Sequence, residues 1–482
     1  MSTGFDPRAL LLDSFHAAVA AADPAHVLPP HLPAPPRGRT LVVGGGKAAA
    51  SMAAALEAHW PANAALSGLV VTRYRHSLPT HRIEVVEASH PLPDGRGEAA
   101  ALRMLAMAAQ LGEDDLLLAL ISGGGSSLLA APVEGITLKE LRQVTKALLH
   151  AGATIHDINT VRKHLTRLAG GRLAQAAQNA QGLALIVSDV VGDDPTHIAS
   201  GPCAPDPTTC ADALDRLAHF DIPLPPGVQR HLDTCAAEGS LRSNGAPTGV
   251  PLAGAAEGSL RSNGVPTSVP LAGAAEGSLR SSGAPTGVPF TGAANQRAET
   301  PKPGDRCFAR KENRIIATAH ASLSAACQVF EQHGIRALVL SEQVSGNAQA
   351  VAQQHAALAR ACPSGQPLAL ISGGETTVAL SPQHGRGGRN GEYLLALALA
   401  MQETPAWAIA CDTDGIDGSE DNAGALISPD TLIRAQARGI DANVYLSGHD
   451  SYGFFSRLGD LVHTGPTRTN VNDYRVLLIG LD

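Results

Sequence analysis

Five apolar runs in this 482-residue chain end in glycines, hydroxyls or carboxylates. Residues 39–43 lead into Gly44-Gly45-Gly46-Lys47, and residues 116–121 into Ser122-Gly123-Gly124-Gly125-Ser126-Ser127. Residues 183–187 are followed by Ser188-Asp189, with Asp193 and Asp194 just beyond. Residues 368–371 lead into Ser372-Gly373-Gly374-Glu375-Thr376, and residues 407–410 into a loop carrying Asp412, Asp414 and Asp417. Glycine has no Cβ, so backbone N–H groups in such turns can approach an anion closely. A turn that opens a helix adds the favourable end of the helix dipole. Gly45, Gly46, Ser122, Gly123, Gly124, Gly125, Ser126 and Ser127 are therefore expected to contact phosphate, as are Gly373, Gly374, Glu375 and Thr376.

Lys47 stands at a predicted helix start, where a cation opposes the dipole and calls for an anionic partner. The segment 385–393, GRGGRNGEY, delivers Arg389 into another helix start, and its planar fork suits phosphate or carboxylate. Arg386 reads as a solvated loop charge. Clustered carboxylates repel unless a cation or hydrogen bonds compensate them. Asp189, Asp194 and Asp414 are the carboxylates assigned to a hard cation such as Mg2+, which binds few carboxylates together with substrate phosphates. Asp189, at a strand end, is also the leading general base. Arg162 and Asp417 are assigned to substrate binding, and Lys163 is placed beside Arg162 toward the same cleft. His90 and His197, each in a proline-containing loop, read as structural.

The elements that must carry these residues alternate strand and helix. Continuous apolar runs such as LLLALI suit parallel strands covered on both faces. A single helix is predicted over 159–179, with Asn159 as its N-cap. The fold class is α/β, in two domains: an N-terminal Rossmann-like layered domain with a mainly parallel sheet over residues 1–235, and a C-terminal α/β domain over 293–482. Ligands bind beyond the carboxyl ends of such strands, at a cleft. Between the domains, residues 236–292 hold three tandem 19-residue copies of AAEGSLRSNGAPTGVPLAG and its variants. Their 11 Gly and 6 Pro in 57 residues give the composition of a disordered linker. Deleting the copies is expected to leave activity nearly unchanged.

Composition excludes other classes. The net charge of −8 makes a nucleic-acid backbone an improbable main partner. No run of 18 apolar residues exists, which leaves no membrane partner. The seven Cys form no C-x-x-C pair, so no disulfide framework or zinc site is expected, and a reducing cytoplasm is the natural location. From residues alone, anion binding, a cation and a proton acceptor at a cleft fit phosphoryl transfer to a small hydroxylated acid. They do not separate it from a dehydrogenase or a phosphatase.

VVGGGKAAASM, LISGGGSSLL, INTVRKHLTRLAGGRLA, SDVVGDDPTHIASGP, LISGGETTV, GRGGRNGEY, DTDGIDGSEDNAG and TGPTRTNVND occur in this order. Together they resemble the glycerate 2-kinases of the MOFRL type. The resemblance implies an active site between two domains and transfer of the γ-phosphoryl group of ATP, with Mg2+, to the 2-hydroxyl of D-glycerate. It places the family's functional Lys on Lys47, its Arg on Arg389 and the aspartate of its SDV motif on Asp189. D-glycerate is then the expected partner, and a homodimer is left open. The chain departs from the usual pattern at Gly391 and at Gly448-His449. Some relatives carry the label hydroxypyruvate reductase, an NAD(P)H-dependent class. Here no G-x-G-x-x-G opens a helix with an acidic ribose partner.

Overall fold

Six short apolar strands build the first sheet: β1 (Thr40–Gly45), β2 (Leu66–Arg73), β3 (Ile83–Ala88), β4 (Leu116–Ser122), β5 (Gln181–Val187) and β6 (Lys311–Ala317). The structure is a computed structural model that describes residues 6–243, 299–362, 365–379, 384–404 and 406–481. The first sheet is parallel throughout and ordered β3-β2-β1-β4-β5-β6. That is the strand order of doubly wound nucleotide-binding folds, with its topological switch between β1 and β4. Every residue of β4 is buried, as an apolar run covered on both faces requires. Helices pack against both faces, giving two core clusters around β1, β2 and β4.

The second sheet is mixed. It comprises β7 (Arg336–Asn347), β8 (Leu368–Thr377), β9 (Trp407–Asp412), β10 (Gly424–Ile427), β11 (Leu461–Val462) and β12 (Asp473–Ile479). Its order is β11-β10-β9-β12-β8-β7. β7 runs parallel to β8, and β12 runs antiparallel to both of its neighbours.

Two crossings tie the halves together. Lys311–Ala317 follows the repeats yet completes the first sheet, pairing with β5. A boundary at 293 therefore does not coincide with the end of the first sheet. The N-terminal helix Pro7–Ala20 buries Leu10, Leu11, Phe15 and Ala18 in the core of the second sheet.

Several local expectations are corrected. The helix predicted over 159–179 is two helices, Ile155–Leu165 and Arg172–Ala176. Its true N-cap is Thr154, which forms a capping box with Asp157. The second piece starts after Gly170 and Gly171, both at positive φ. Cys210 and Cys235 are joined in a disulfide, contrary to seven thiols in a reducing compartment. Their helices, Cys210–His219 and Pro226–Ser243, bring the Cα atoms to 5.9 Å, inside bridging range, across a separation of 25 residues that no short motif marks. Among the described residues, Cys203, Cys307, Cys327, Cys362 and Cys411 stay outside any disulfide.

The disordered-linker expectation is also corrected at its start. Pro226–Ser243 is helical and includes the first eight residues of the first copy, 236–243. The rest of the repeats lies outside the described residues. The deletion that should leave glycerate turnover within about twofold is therefore 244–292, not 236–292, since loop length itself costs little. Loss of soluble protein, or a larger fall in turnover, would show that the repeats pack on the core. Among the described residues no helix is long and apolar enough to cross a membrane.

Candidate active site

The turn after β1 is made by close approach. A Cβ on Gly46 would lie 2.1 Å from Ser122 Oγ, so a side chain there would drive the β1 and β4 turns apart. Gly46 N–H donates to Val71 O at 3.1 Å and Lys47 N–H to Gly123 O at 2.8 Å. Ala48 N–H donates to Ser122 Oγ at 3.0 Å. Gly45 lies within the ladder, between Val71 and Ile121. These donors are spent on the protein itself. Gly45 and Gly46 are corrected from a phosphate cradle to the seat of Lys47, and Ser122 Oγ accepts the Ala48 N–H at that seat.

From that seat the Lys47 ammonium crosses between the halves to Asp414, at 2.5 Å. Both side chains are nearly buried, 13% and 2% exposed. Burial pulls the Lys47 pKa down, but the Asp414 and Asp412 carboxylates outweigh it and raise it. Burial likewise opposes ionisation of Asp414, and Lys47 overcomes it, leaving a pKa of about 2. Asp412 is pushed well above the carboxylate range by burial and by Asp414.

Behind this pair stands a second layer of charge. Arg389, the first residue of the helix Arg389–Ala400, donates to Asp473 Oδ1 and to Asp412 Oδ2, each at 2.8 Å. Its third nitrogen meets Glu375 Oε1 at 2.8 Å. A guanidinium engaged by three carboxylates has no free fork for a ligand. The structure therefore gives Arg389 the holding of Asp412 and Asp473, not direct anion capture. Glu375 is its counter-ion. Arg386 pairs with Glu420 over the Tyr452 ring, at the surface.

Residues 372–375, read as a turn after one strand, and Thr376–Thr377, read as the start of another, are the last part of a single strand, β8, where Gly374, Glu375 and Thr376 pair with Val344, Ser345 and Gly346. Thr376 Oγ1 accepts from Arg475 at 3.2 Å. Gly373, Gly374 and Thr376 thus continue a ladder and form no cradle. Asp417 is corrected as well. Its carboxylate accepts from Asn390 N–H at 3.0 Å and Gly391 N–H at 2.8 Å, so it caps the Arg389–Ala400 helix instead of reaching substrate. Burial lifts its pKa to about 6 against those donors.

The turn after β4 is different. It opens the one-turn helix Gly125–Leu128, whose first N–H groups have no intrahelical partners. Ser127 Oγ donates back to Gly124 O at 3.1 Å, and Ser126 Oγ meets Ser200 Oγ at 2.8 Å. The turn's hydroxyls are internally bound. Its backbone amides at Gly124, Gly125 and Ser126 remain the groups suited to an anion.

Two titratable groups flank this turn. A Cβ on Gly123 would lie 1.9 Å from Asp189 Oδ2, so glycine there admits the Asp189 carboxylate. From the other half, Asn470 Nδ2 donates to that carboxylate at 3.3 Å and Asn472 Nδ2 to the Asp189 carbonyl at 2.8 Å. Burial raises the Asp189 pKa to about 6 although Lys47 opposes the rise. His90 Cδ2 would lie 3.0 Å from a Cβ on Gly124, so this residue, read as structural, borders the turn. Burial and the charge of Lys47 lower its pKa to about 3, which keeps it neutral.

Arg162 also enters the cleft from the helix Ile155–Leu165, and its charge is felt at His90. Its described contact is a long one, Nη1 to Asn159 Oδ1 at 3.5 Å. Burial alone lowers its pKa, to about 10, with no carboxylate raising it. Lys163, one residue on, is corrected from the cleft to a buried ion pair with Asp206 at 3.3 Å. Asp194, assigned to the cation, is bonded within its own loop. It accepts from Thr196 N–H at 2.8 Å and is about half exposed.

For Asp189, folded and unfolded pKa values diverge upward from 3.8 to about 6. Its protonated form is thus favoured by folding, and that contribution is lost as pH rises through about 6. Asp189→Asn should match the wild type in urea midpoint near pH 4 and exceed it above pH 6. A difference that does not widen with pH would exclude this environment for Asp189.

A hard cation needs an accessible carboxylate whose charge is not already neutralised. Asp189 meets this and would hold Mg2+ together with phosphate oxygens, whereas Asp414, buried and neutralised by Lys47 at 2.5 Å, is corrected from the metal set. Elsewhere, His164 Nε2, Cys210 Sγ and a Glu299 oxygen lie within 4.8 Å of one another. There Cys210 is committed to its disulfide and Glu299 pairs with His164 and Lys302, each at 3.0 Å. That group is a buried ion-pair lock.

The profile of the MOFRL family matches residues 368–473, and one described as a domain of unknown function (DUF4147) matches residues 10–233. A D-glycerate 2-kinase of Thermotoga maritima is 33% identical over 489 residues, covering 99% of this chain and 99% of that protein. The chain belongs to the MOFRL-type glycerate kinase family. A putative hydroxypyruvate reductase of Agrobacterium vitis falls in the same family, 44% identical over 98% of this chain and 94% of its own. The crystal structure of a glycerate kinase from Thermotoga maritima superposes with a TM-score of 0.75 at 31% identity, over 98% of this chain and 99% of that one. The two-sheet architecture described above is thus the architecture of a glycerate kinase. Asp473 was carried within a family motif but had no role in the sequence reading. Its signal is an acid opening the last strand next to Arg475.

Proposed function

We propose that this protein transfers the γ-phosphoryl group of ATP to the 2-hydroxyl of D-glycerate in the cleft between its two sheets. The observation that carries this reading is Lys47, which is held between the open turn at 124–127 and the acidic cluster of the other half. In phosphoryl transfer the protein mainly positions groups and offsets developing charge. The Lys47 ammonium is the group that stabilises the transferring phosphoryl oxygens. The amides of Gly124, Gly125 and Ser126 hold phosphate. Arg162, a recessed guanidinium with no carboxylate partner among the described residues, takes the glycerate carboxylate in fork geometry. Asp189 accepts the 2-hydroxyl proton, its raised pKa placing it close to operating pH. Mg2+ held by phosphate oxygens together with Asp189 would neutralise phosphate charge.

This reading keeps the protein among enzymes with small-molecule partners. The test is product-resolved. Protein, ATP, Mg2+ and D-glycerate should yield 2-phosphoglycerate in a phosphorus NMR spectrum. Folded protein that yields none overturns the proposal. The names of the Agrobacterium vitis relatives motivate a second arm, hydroxypyruvate with NADH. The β1 turn here has its amides spent on the protein and lacks the dinucleotide fingerprint, so no NADH loss is expected.

A further inference from the structure

We infer that Ser200 and Asn159 are positioning residues that brace the carboxylate-binding Arg162 and the phosphate-binding turn as one unit. The inference rests on the proposed glycerate kinase reading and deepens it. Asn159 Nδ2 donates to His197 O at 3.3 Å, which fixes the orientation of its amide. Its Oδ1 therefore faces the other way, and there it accepts from Ser200 Oγ at 3.0 Å and from Arg162 Nη1 at 3.5 Å. The Ser200 proton is thus committed to Asn159. The 2.8 Å contact between Ser126 and Ser200 must then be donated by Ser126. The direction of the relay follows: Ser126 to Ser200 to Asn159, with Arg162 converging on the same oxygen. Ser126 keeps its lone pairs free, so toward a ligand it can only accept. A sugar-acid hydroxyl is a suitable donor, whereas a bare phosphate oxygen is not.

The backbone supports the same reading. Ala199 and Ser200 have φ of 51° and 59°, consecutive left-handed residues with side chains. Such conformations persist only where surrounding structure enforces them, and they gather at functional sites. Here the enforcement is visible. Ser200 is fully buried, and its carbonyl accepts from Gly170 N–H at 2.9 Å. A Cβ on Gly125 would lie 2.5 Å from that of Ala199, so the strained segment presses directly on the turn. A serine that served the backbone alone would be better replaced by glycine. Serine at this φ supplies the hydroxyl that joins the two anion sites.

Ser200→Gly separates these roles, because glycine accepts φ near 60° and lacks the hydroxyl. Folding should be kept and the melting temperature unchanged or raised. KM for D-glycerate should rise about 10-fold, with KM for ATP within about twofold, because ground-state positioning of one substrate is lost. Asn159→Ala should act in the same direction. The double variant should be no worse than the poorer single variant, as expected for residues acting in one network. Hydrogen exchange of the 124–128 amides, read without substrate, should quicken in Ser200→Gly. Wild-type protein that makes no 2-phosphoglycerate overturns the kinase reading alone, and the exchange measurement still decides the brace. Unchanged exchange, wild-type KM values in an active protein, or effects that multiply in the double variant would overturn the brace.

Discussion

Lys47→Ala should lower kcat/KM for D-glycerate by about 10²-fold or more, the loss expected when a charge aimed at a developing oxyanion is removed. That factor corresponds to ~2.7 kcal/mol of transition-state stabilisation. The same substitution also leaves Asp414 buried without its cation, which carries a stability cost of its own. The two effects can be separated. Adding Asp414→Asn removes the stranded charge, so Lys47→Ala/Asp414→Asn should recover most of the lost urea midpoint. It should recover none of the turnover. Turnover that returns with stability would reduce Lys47 to an interdomain tie, and a near-wild-type single variant would exclude it from the chemistry.

Arg162→Met should raise KM for D-glycerate by about 10²-fold, because a charged fork on a carboxylate is among the stronger polar contacts available to a site. Unlike most losses of function, this one should come with a gain in stability. Burial disfavours the Arg162 cation and no carboxylate offsets it, so a methionine of similar length relieves a penalty. About 1 kcal/mol, or roughly 1 °C in Tm for a chain of this length, is the scale expected. Stability and KM would then move in opposite senses. If the variant melts lower and binds glycerate normally, Arg162 is a structural residue with a partner that forms in solution. Saturating D-glycerate should restore part of kcat, since the phosphoryl-transfer groups are untouched.

Strand positions and the cleft were legible in the sequence because they follow from local pattern. LLLALI and LALIV are fully apolar, and each ends where a charged or glycine-rich turn begins. Lys47 and Asp189 were legible for the same reason, as chemistry placed at strand ends. What the sequence did not carry was the use to which each backbone donor is put. Gly45-Gly46 and Gly123-Gly124 look alike as text. In the fold the first pair is paired to its neighbours and the second faces the cleft. Arg389 and Arg162 are likewise the same residue type, both read as near helix starts, although Arg162 falls in the last turn of Ile155–Leu165. Three carboxylates claim the first, and among the described residues none claims the second. For Arg389 the carboxylates lie 14, 23 and 84 residues away, and the last two are beyond any local window. The capping box at Thr154 was present to be read, and Asn159 drew attention from it.

The N-terminal helix has a consequence for biosynthesis. Leu10, Leu11 and Phe15 are finished by a core that includes Val462, Tyr474 and Val476, and Ser14 receives the Tyr474 hydroxyl from 460 residues away. At ordinary elongation rates, on the order of tens of seconds separate the emergence of that helix from the synthesis of its partners. During that interval its apolar face has no native partner while the first sheet is already being completed. The second half cannot mature as a separate unit behind the first, since it needs a piece made at the outset. A nascent chain of this protein is therefore a natural client for a chaperone that holds exposed apolar helix until translation ends.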